Sequence, residues 1–468
     1  MPGLLRADQP LPVRLDDMRQ RLYPPSEMDE LVIAGAKLVT PQGVRETDVL
    51  IREGRIARLG RAHRPRAAFS AQGLILLPGA IDAHVHLALP VAGTRSADDF
   101  ATGTLAAAAG GVTTLIDFTL GAPDKSLPQA IEERLAQAAP AAVDFSLHAE
   151  MIGWTPDRAG ELAQAAELGV RSFKFYLAYA DSGRRTPLGV LKAAMEGIAR
   201  LGGVAMVHAE AEELVVPGKG PTPEGRPAVA EEVAIAELAI LALRTGCRTY
   251  VAHISSAGGL GAYLAGRDRG APLWGETCPH YLLLDETAYS RPHGRYFSVT
   301  PPLRRPADRA ALWAALARRD LQAVSTDHCP FTRAQKDAAE SPEKLPSGLP
   351  GVETLLPLLY SEGVAKGRLS LAALAWYLGE GPARAFGLWP RKGGIQPGAD
   401  ADLVLLDPKG SWTITAEGLH MATDFSPYEA LQVQGRIVGV LSRGEWLARE
   451  GELLARPGRG EFVPWGAR

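Results

Sequence analysis

Cysteine is scarce in this chain: three in 468 residues, Cys247, Cys278 and Cys329, with no Cys-x-x-Cys pair. That spacing argues against a zinc ribbon or a disulfide framework, so free thiols are expected, with Cys329 near enough to Asp327 to touch a shared site. Net charge is nearly absent too, 50 basic residues against 53 acidic ones for a formal −3. Lys and Arg are dispersed, which leaves no concentrated basic face for phosphates, and no nucleic-acid partner is expected. Long apolar runs are also missing. No stretch approaches the roughly 20 apolar residues of a membrane span, and the opening MPGLLRADQPLPVRLDD lacks an apolar segment of signal-peptide length. The expectation is a cytoplasmic protein with no membrane partner.

What the chain does have is length, enough for a large barrel or two domains. Between about Leu74 and Asp327 short β-branched runs alternate with helix-like stretches, the pattern of a parallel sheet with crossover helices. Eight runs occur: LILLPGAIDAHVH, VTTLIDF, VDFSLHAE, VRSFKFYL, VAMVHAE, TYVAHISS, APLWGETCP and LQAVSTDH. Between them, Ser96 is placed to cap SADDFATGTLAAAA with Gly110 as its stop, Pro306 suits a first helical turn, and VAEEVAIAELAILALRTG ends at Gly246. Eight strand and helix pairs predict a (β/α)8 TIM-type barrel of the α/β class, which keeps its chemistry at the C-terminal strand ends.

The flanks read differently. LVIAGAKLVTPQGVRETDVLIREGRIARLG, and after the barrel ADADLVLLDP, GSWTITA and IVGVLSRGEWLA, are short alternating strands punctuated by Gly and Pro. Neither set alone buries its apolar face, so they are expected to pair into one small discontinuous β-sandwich domain. The boundaries expected are an N-terminal extension over 1–28, the first part of the β domain over 29–77, the barrel over 78–392, and the second part with a C-terminal tail over 393–468.

Residues able to bind metal close five of the barrel runs: His84 with His86, Lys174, His208, His253 and Asp327. Side chains alternate along a strand, so the i, i+2 spacing of His84 and His86 aims both imidazoles one way. One histidine ending an apolar strand is commonly just a hydrogen-bonded core residue; five strand ends together are a pattern. By contrast His63, His293 and His420 lie in polar or turn-rich stretches and His280 follows a proline, so these read as surface residues or residues behind the site. His328 alternates away from Asp327 and is not expected to be a ligand.

Neutral imidazoles and a carboxylate suit zinc or a similar divalent ion. A lysine ammonium among such cations would be strongly disfavoured. Conversion of Lys174 to a carbamate by carbon dioxide would make it an anionic ligand able to bridge two ions about 3.5 to 4 Å apart. The counts then close, with His84, His86 and Asp327 on one ion, His208 and His253 on the other, and modified Lys174 between.

Together IDAHVHLALP, SADDF, AAAAGGVTTLIDF, SFKFYLAY, MVHAE, AHISS, ETCPHYLLLD, TPPLR and STDHCPF resemble the cyclic amidohydrolases, most closely the dihydropyrimidinase and hydantoinase branch. The similarity runs over nearly the whole chain from about Leu31. It implies a binuclear metal centre, commonly zinc, on His84, His86, carboxylated Lys174, His208, His253 and Asp327. In such a centre the ions lower the pKa of a bridging water and polarise the ring carbonyl, while Asp327 passes the water's proton to the departing ring nitrogen. Tyr179, five residues past Lys174, matches the tyrosine that hydrogen-bonds the developing oxyanion in this branch. Thr300 stands where the branch has a serine before PPLR, and Ser347 where it has an asparagine before a turn glycine, both near the substrate ring amide.

The implied reaction opens the ring amide of dihydropyrimidines or hydantoins to N-carbamoyl amino acids. Dihydroorotases carry an arginine after the HxH pair, where this chain has Leu87, Ala88 and Leu89, and the allantoinase branch generally lacks the tyrosine that stands here as Tyr179; both favour a five- or six-membered cyclic ureide or imide without a carboxylate. Leu89, Val91 and Phe331 are expected to form an apolar pocket for a ring substituent, or else ordinary loop packing. Allantoinase or another cyclic amidase is the alternative, because GLPGVETLLPLL is closer to dihydroorotase and allantoinase patterns. A mononuclear deaminase would lack the role of Lys174, and a catalytically idle relative need not keep every ligand. The resemblance also implies a homo-oligomer, dimer or tetramer.

Overall fold

The computed structural model describes residues 30–60 and 67–467. The expected extension over 1–28 and His63 lie outside the described residues.

Strands β1 (Glu30–Thr40), β2 (Gly43–Arg52) and β3 (Arg55–Leu59) form an antiparallel meander, followed by β4 (Ala68–Ser70) and β5 (Ile75–Pro78). The two residues joining β2 to β3, Glu53 and Gly54, both have positive φ (49° and 73°). Such a turn matches the right-handed twist of its strands, and glycine takes that conformation without a Cβ clash.

The barrel follows. Its strands are β6 (Ala80–Val85), then, after a small ribbon of β7 (Pro90–Val91) and β8 (Thr94–Arg95), β9 (Val112–Phe118), β10 (Asp144–Glu150), β11 (Ser172–Tyr176), β12 (Val204–His208), β13 (Arg248–Val251), β14 (Leu273–Thr277) and β15 (Ala323–Val324). Each of the eight is parallel to the next. The ring closes where Val85 bridges His328 in parallel and the His86 amide donates to the His328 carbonyl at 2.7 Å. All eight sequence runs therefore supply barrel strands in the expected order, although the first is split and its Ile75–Pro78 part is β5 of the other sheet. On β12, Val204 and Met206 face the interior with Phe118 and Tyr250, whereas Ala205 and Val207 pack against the outer helices.

Helix boundaries follow local chemistry. The helix Phe100–Ala109 stops at Gly110, as its sequence predicts, but its cap is Asp99, not Ser96. The Asp99 carboxylate accepts from the amides of Ala101 and Thr102, and the Thr102 hydroxyl accepts from the Asp99 amide, a reciprocal box that a serine three residues earlier cannot form. Ser96 instead accepts from the Leu89 amide and donates to the His86 carbonyl, bracing the loop behind the HxH pair. Pro306 opens the helix Pro306–Arg318, and Ala228–Thr245 ends at Gly246 with φ 67°.

The chain then returns through β16 (Leu403–Thr413), β17 (Gln432–Ser442), β18 (Glu445–Arg449) and β19 (Glu452–Leu453). These join β1–β5 in a single nine-stranded mixed sheet through the antiparallel pairing of β16 with β5. Alternation on β16 gives the sheet two buried faces: Leu403 and Leu405 meet Ile33, Leu38 and Ile51, while Val404 and Leu406 belong to the larger core shared with the barrel. A fully buried ammonium fastens the two parts. Lys392 Nζ lies 2.5 Å from Asp144 at the start of β10, 2.9 Å from Asp400 and 2.7 Å from Asp402. These aspartates would suit a cation, and the lysine supplies it.

Candidate metal centre

The six expected ligands and Tyr179, Thr300 and Ser347 all line one cavity of about 420 Å³ at the C-terminal ends of the barrel strands. His84 and His86 leave the end of β6, and their Nε2 atoms each lie 3.2 Å from Asp327 Oδ1. Ring closure is what brings Asp327 there, since His328 pairs directly with β6. His208 ends β12 and His253 follows β13, with His208 Nδ1 3.0 Å from His253 Nε2. The His84 and His253 rings lie 5.4 Å apart, which joins the two groups. Three of these residues hold non-glycine backbone in the left-handed region: Tyr179 (φ 74°), His253 (φ 38°) and Asp327 (φ 51°). Such backbone is uncommon and concentrates where side chains must be re-aimed.

Donor atoms of His84, His253 and Asp327 lie within 4.8 Å of one another. His84 Nε2 and His253 Nδ1 are buried without a hydrogen-bond partner among the described residues. Burial, reinforced by neighbouring Lys174 and imidazoles, holds both rings well below the ordinary histidine pKa. Neutral imidazoles converging with a carboxylate fit a zinc-type divalent ion.

Lys174, on β11, has its Nζ 5.0 Å from the Phe118 ring centre and 5.2 Å from that of Tyr176. Burial lowers it to about 8, against the opposing pull of Asp327, Glu276 and Glu150.

Sequence reading missed the groups that orient these ligands. Glu276 on β14 lies 2.5 Å from His84 Nδ1, which leaves Nε2 facing Asp327, and it also accepts from the Tyr250 hydroxyl at 3.0 Å. Glu210 lies 2.7 Å from His208 Nε2 and is itself paired with Arg226. Carboxylates of this kind fix ligand tautomers and ring angles. A signal existed for both: a lone acid in an apolar run must find a partner, and Glu210 sits two residues after His208.

The Tyr179 hydroxyl donates to Thr300 Oγ1 at 2.8 Å, the Arg226 guanidinium stacks 4.5 Å from its ring centre, and burial pushes the phenol to about 12. Ser347 is half-buried, its hydroxyl directed at the Leu345 carbonyl. The segments carrying Thr300 and Ser347 are stapled together, because the Gly348 amide donates to the Ser298 carbonyl at 2.9 Å and buried Lys336 donates to both Ser298 and Gly348 carbonyls.

Leu89 and Val91 line the cavity, as does the buried Cys329. Phe331 does not: it is fully buried beneath the loop, so the expected apolar wall lacks it. Of the two readings of His280, surface or behind the site, the surface one fails, since the ring is buried and packed edge-on to Tyr281. His328 is committed to Asp98 and to the amides of Gly351 and Val352, consistent with its exclusion as a ligand. His293 and His420 are exposed.

This fold is that of a known family. A family model described as the amidohydrolase family matches residues 75–265 and 270–447, and the chain belongs to that family. Within it the chain is 37% identical over 461 residues to the D-hydantoinase of Streptomyces coelicolor, covering 92% of this chain and 97% of that protein. It is also 37% identical over 451 residues to the D-hydantoinase of Geobacillus stearothermophilus, covering 92% and 96%. The crystal structure of dihydropyrimidinase from Brevibacillus agri NCHU1002 superposes with a TM-score of 0.90 at 33% identity, covering 94% of this chain and 99% of that one. Among the described residues no helix is long and apolar enough to cross a membrane.

Proposed function

We propose that this chain hydrolyses the ring amide of a cyclic ureide or imide, a hydantoin or dihydropyrimidine, to the corresponding N-carbamoyl amino acid. The observation that carries the reading is the convergence of His84, His86, Lys174, His208, His253 and Asp327 with Tyr179 in one cavity. The likeness to hydantoinases and a dihydropyrimidinase supports it. His84, His86 and Asp327 would hold one divalent ion and His208 and His253 a second, most fittingly zinc, with Lys174 as a carbamate between them. When bound, the ions supply a hydroxide at neutral pH and polarise the ring carbonyl.

The protein's own groups do the rest. Asp327 accepts the nucleophile's proton at its carboxylate and returns it to the departing ring nitrogen. Tyr179 stays protonated at neutral pH, because its buried phenol titrates at about 12, and donates to the oxygen on which charge develops. Glu276 and Glu210 keep the imidazoles aimed throughout. Main-chain groups at Thr300 and Ser347 hold the ring amide, in a spacing fixed by the Lys336 staple. The domain boundaries at about 28, 77 and 392 belong to the same reading.

Dihydrouracil, hydantoin, allantoin and dihydroorotate should be assayed side by side, with metal counted before and after chelation. Ring opening of hydantoin or dihydrouracil with about two ions per chain is the expected result. Allantoin turned over fastest would move the assignment to an allantoinase, the reading that the stretch GLPGVETLLPLL favours. One ion per chain would end the binuclear scheme. Copies are proposed to associate as dimers or tetramers through the exposed stripe of Val229, Val233, Ile240 and Leu243 on the helix Ala228–Thr245; sedimentation as a monomer would end that part.

A further inference from the structure

One wall of the cavity carries charge that the ring-opening scheme does not use. Arg184 lines the cavity, half-buried, in the loop after β11. Its Nη1 donates to Glu150 Oε1 at 2.8 Å, and that carboxylate is fully buried at the end of β10. Glu150 is not spent on the arginine. Its Oε1 also accepts from the Tyr176 hydroxyl at 2.5 Å, and its Oε2 accepts from the Gly121 amide at 3.0 Å. Three donors thus share the negative charge, while the guanidinium is held through Nη1 alone and Arg184 is among the residues that border the cavity.

The placement relative to the chemistry is bounded. Arg184 Cζ lies 5.6 Å from the Tyr176 ring centre and Lys174 Nζ 5.2 Å from the same point, so the guanidinium and the lysine of the metal centre lie against one aromatic ring. A group on a short arm from the substrate ring reaches this distance. The other cation away from the ligands, Arg226, is taken by Glu210 and the Tyr179 ring. Of the other acidic residues lining the cavity, Asp181 and Glu343 are exposed, where water screens them, and Glu212 is half-buried with its charge set against Arg226. Leu89 and Val91 line the cavity as well and provide apolar surface for the methylenes of an arm.

Resting on the ring-opening reading, we propose that Arg184 is a specificity residue that selects cyclic ureides bearing a carboxylate on a short side arm, and that Glu150 and Tyr176 position it. A guanidinium held through one nitrogen keeps further N–H donors for a carboxylate, with charge-assisted, directional bonds and little further ordering cost. This anion site is separate from the position after the HxH pair, where Leu87, Ala88 and Leu89 offer no ion pair.

The test compares hydantoin carrying a carboxyethyl arm at ring carbon 5 with its carbamoylethyl isostere, nearly equal in shape and without charge. Affinity is measured by calorimetry and turnover separately, on the metal-loaded protein. The wild-type chain should favour the acid by tenfold or more in both, with the preference shrinking as salt rises. Arg184→Gln should erase the preference. Because that change strands a buried Glu150, the double variant Arg184→Gln with the isosteric Glu150→Gln removes both charges and should erase it equally, whereas Arg184→Lys should keep part. Equal handling of acid and amide by the wild type, or a preference that survives the double variant, overturns the assignment while leaving ring opening intact. Tighter binding of the acid with neither ring opened would overturn the reaction and leave the anion site standing.

Discussion

A buried charge cluster built around a lysine sits at each end of the barrel. Lys392, at the N-terminal end, touches three carboxylates; burial alone would lower it, but Asp402, Asp144 and Asp400 outweigh that and raise it. Lys174, at the mouth, rests over two aromatic rings, and there burial wins and lowers it to about 8. Asp144 and Glu150 begin and end the same strand, so about 20 Å separates the two environments. The difference teaches what each is for. A lysine whose charge is balanced at contact distance is cement between domains, whereas one whose charge is poorly supported is available for chemistry. Lys336 is intermediate: burial lowers it to about 7, yet the carbonyls of Tyr296, Ser298 and Gly348 and the Ser298 hydroxyl all accept from it.

If the division is right, damage at the mouth should remove turnover and spare stability, and damage at the floor should do the reverse. The largest effect is expected from Lys174→Ala, which should lose bound metal and at least about a thousandfold in kcat/KM, as for removal of a group on which a whole site depends; full metal content and turnover would break the scheme. Next, Tyr179→Phe should lower kcat about 10²- to 10³-fold with KM little changed, the scale of one oxyanion donor.

At the floor, Lys392→Met should cost about 3–5 kcal/mol by stranding buried carboxylates, read from urea midpoints, while the folded fraction keeps its metal. The pH dependence of that loss sharpens the point. Lys392 has a raised folded pKa, so its contribution is complete below the unfolded value near ~10.4 and fades as pH rises through the folded one. Asp144 is depressed, since Lys392 and Arg443 outweigh its burial, so its contribution is complete above ~3.9 and fades as pH falls. The wild-type advantage over Lys392→Met should be flat between those limits and shrink outside them. The smallest effect belongs to Lys336→Met, which loosens the Ser298–Gly348 staple and should raise KM about tenfold, roughly one hydrogen bond's worth of free energy, with kcat changed less.

Sequence and structure agree most closely where a local period carries the information. The HxH pair, the apolar runs and Gly110 and Gly246 as helix stops are all written within a few residues. The helix start at Asp99 was legible too, in the Asp-x-x-Thr spacing, but Ser96 competes with it for the same role. Glu276 and Glu210 were visible only as acids among apolar residues, with nothing local to name their partners. The floor cluster was not legible at all: Asp144 meets Lys392 248 positions later, and no periodicity encodes that encounter. Phe331 and His280 show the converse, residue types that suit a pocket or a surface and are drawn inward by packing.

The hydrogen-bonded seam between the first and last barrel strands has one more implication. His84 and Asp327 are neighbours only because the ring is shut, with the first strand paired to the last. No partly built barrel owns a full set of donors, so tight metal uptake reports that assembly is finished, and a chain stalled one strand short should refuse the ion however correct the rest of it is.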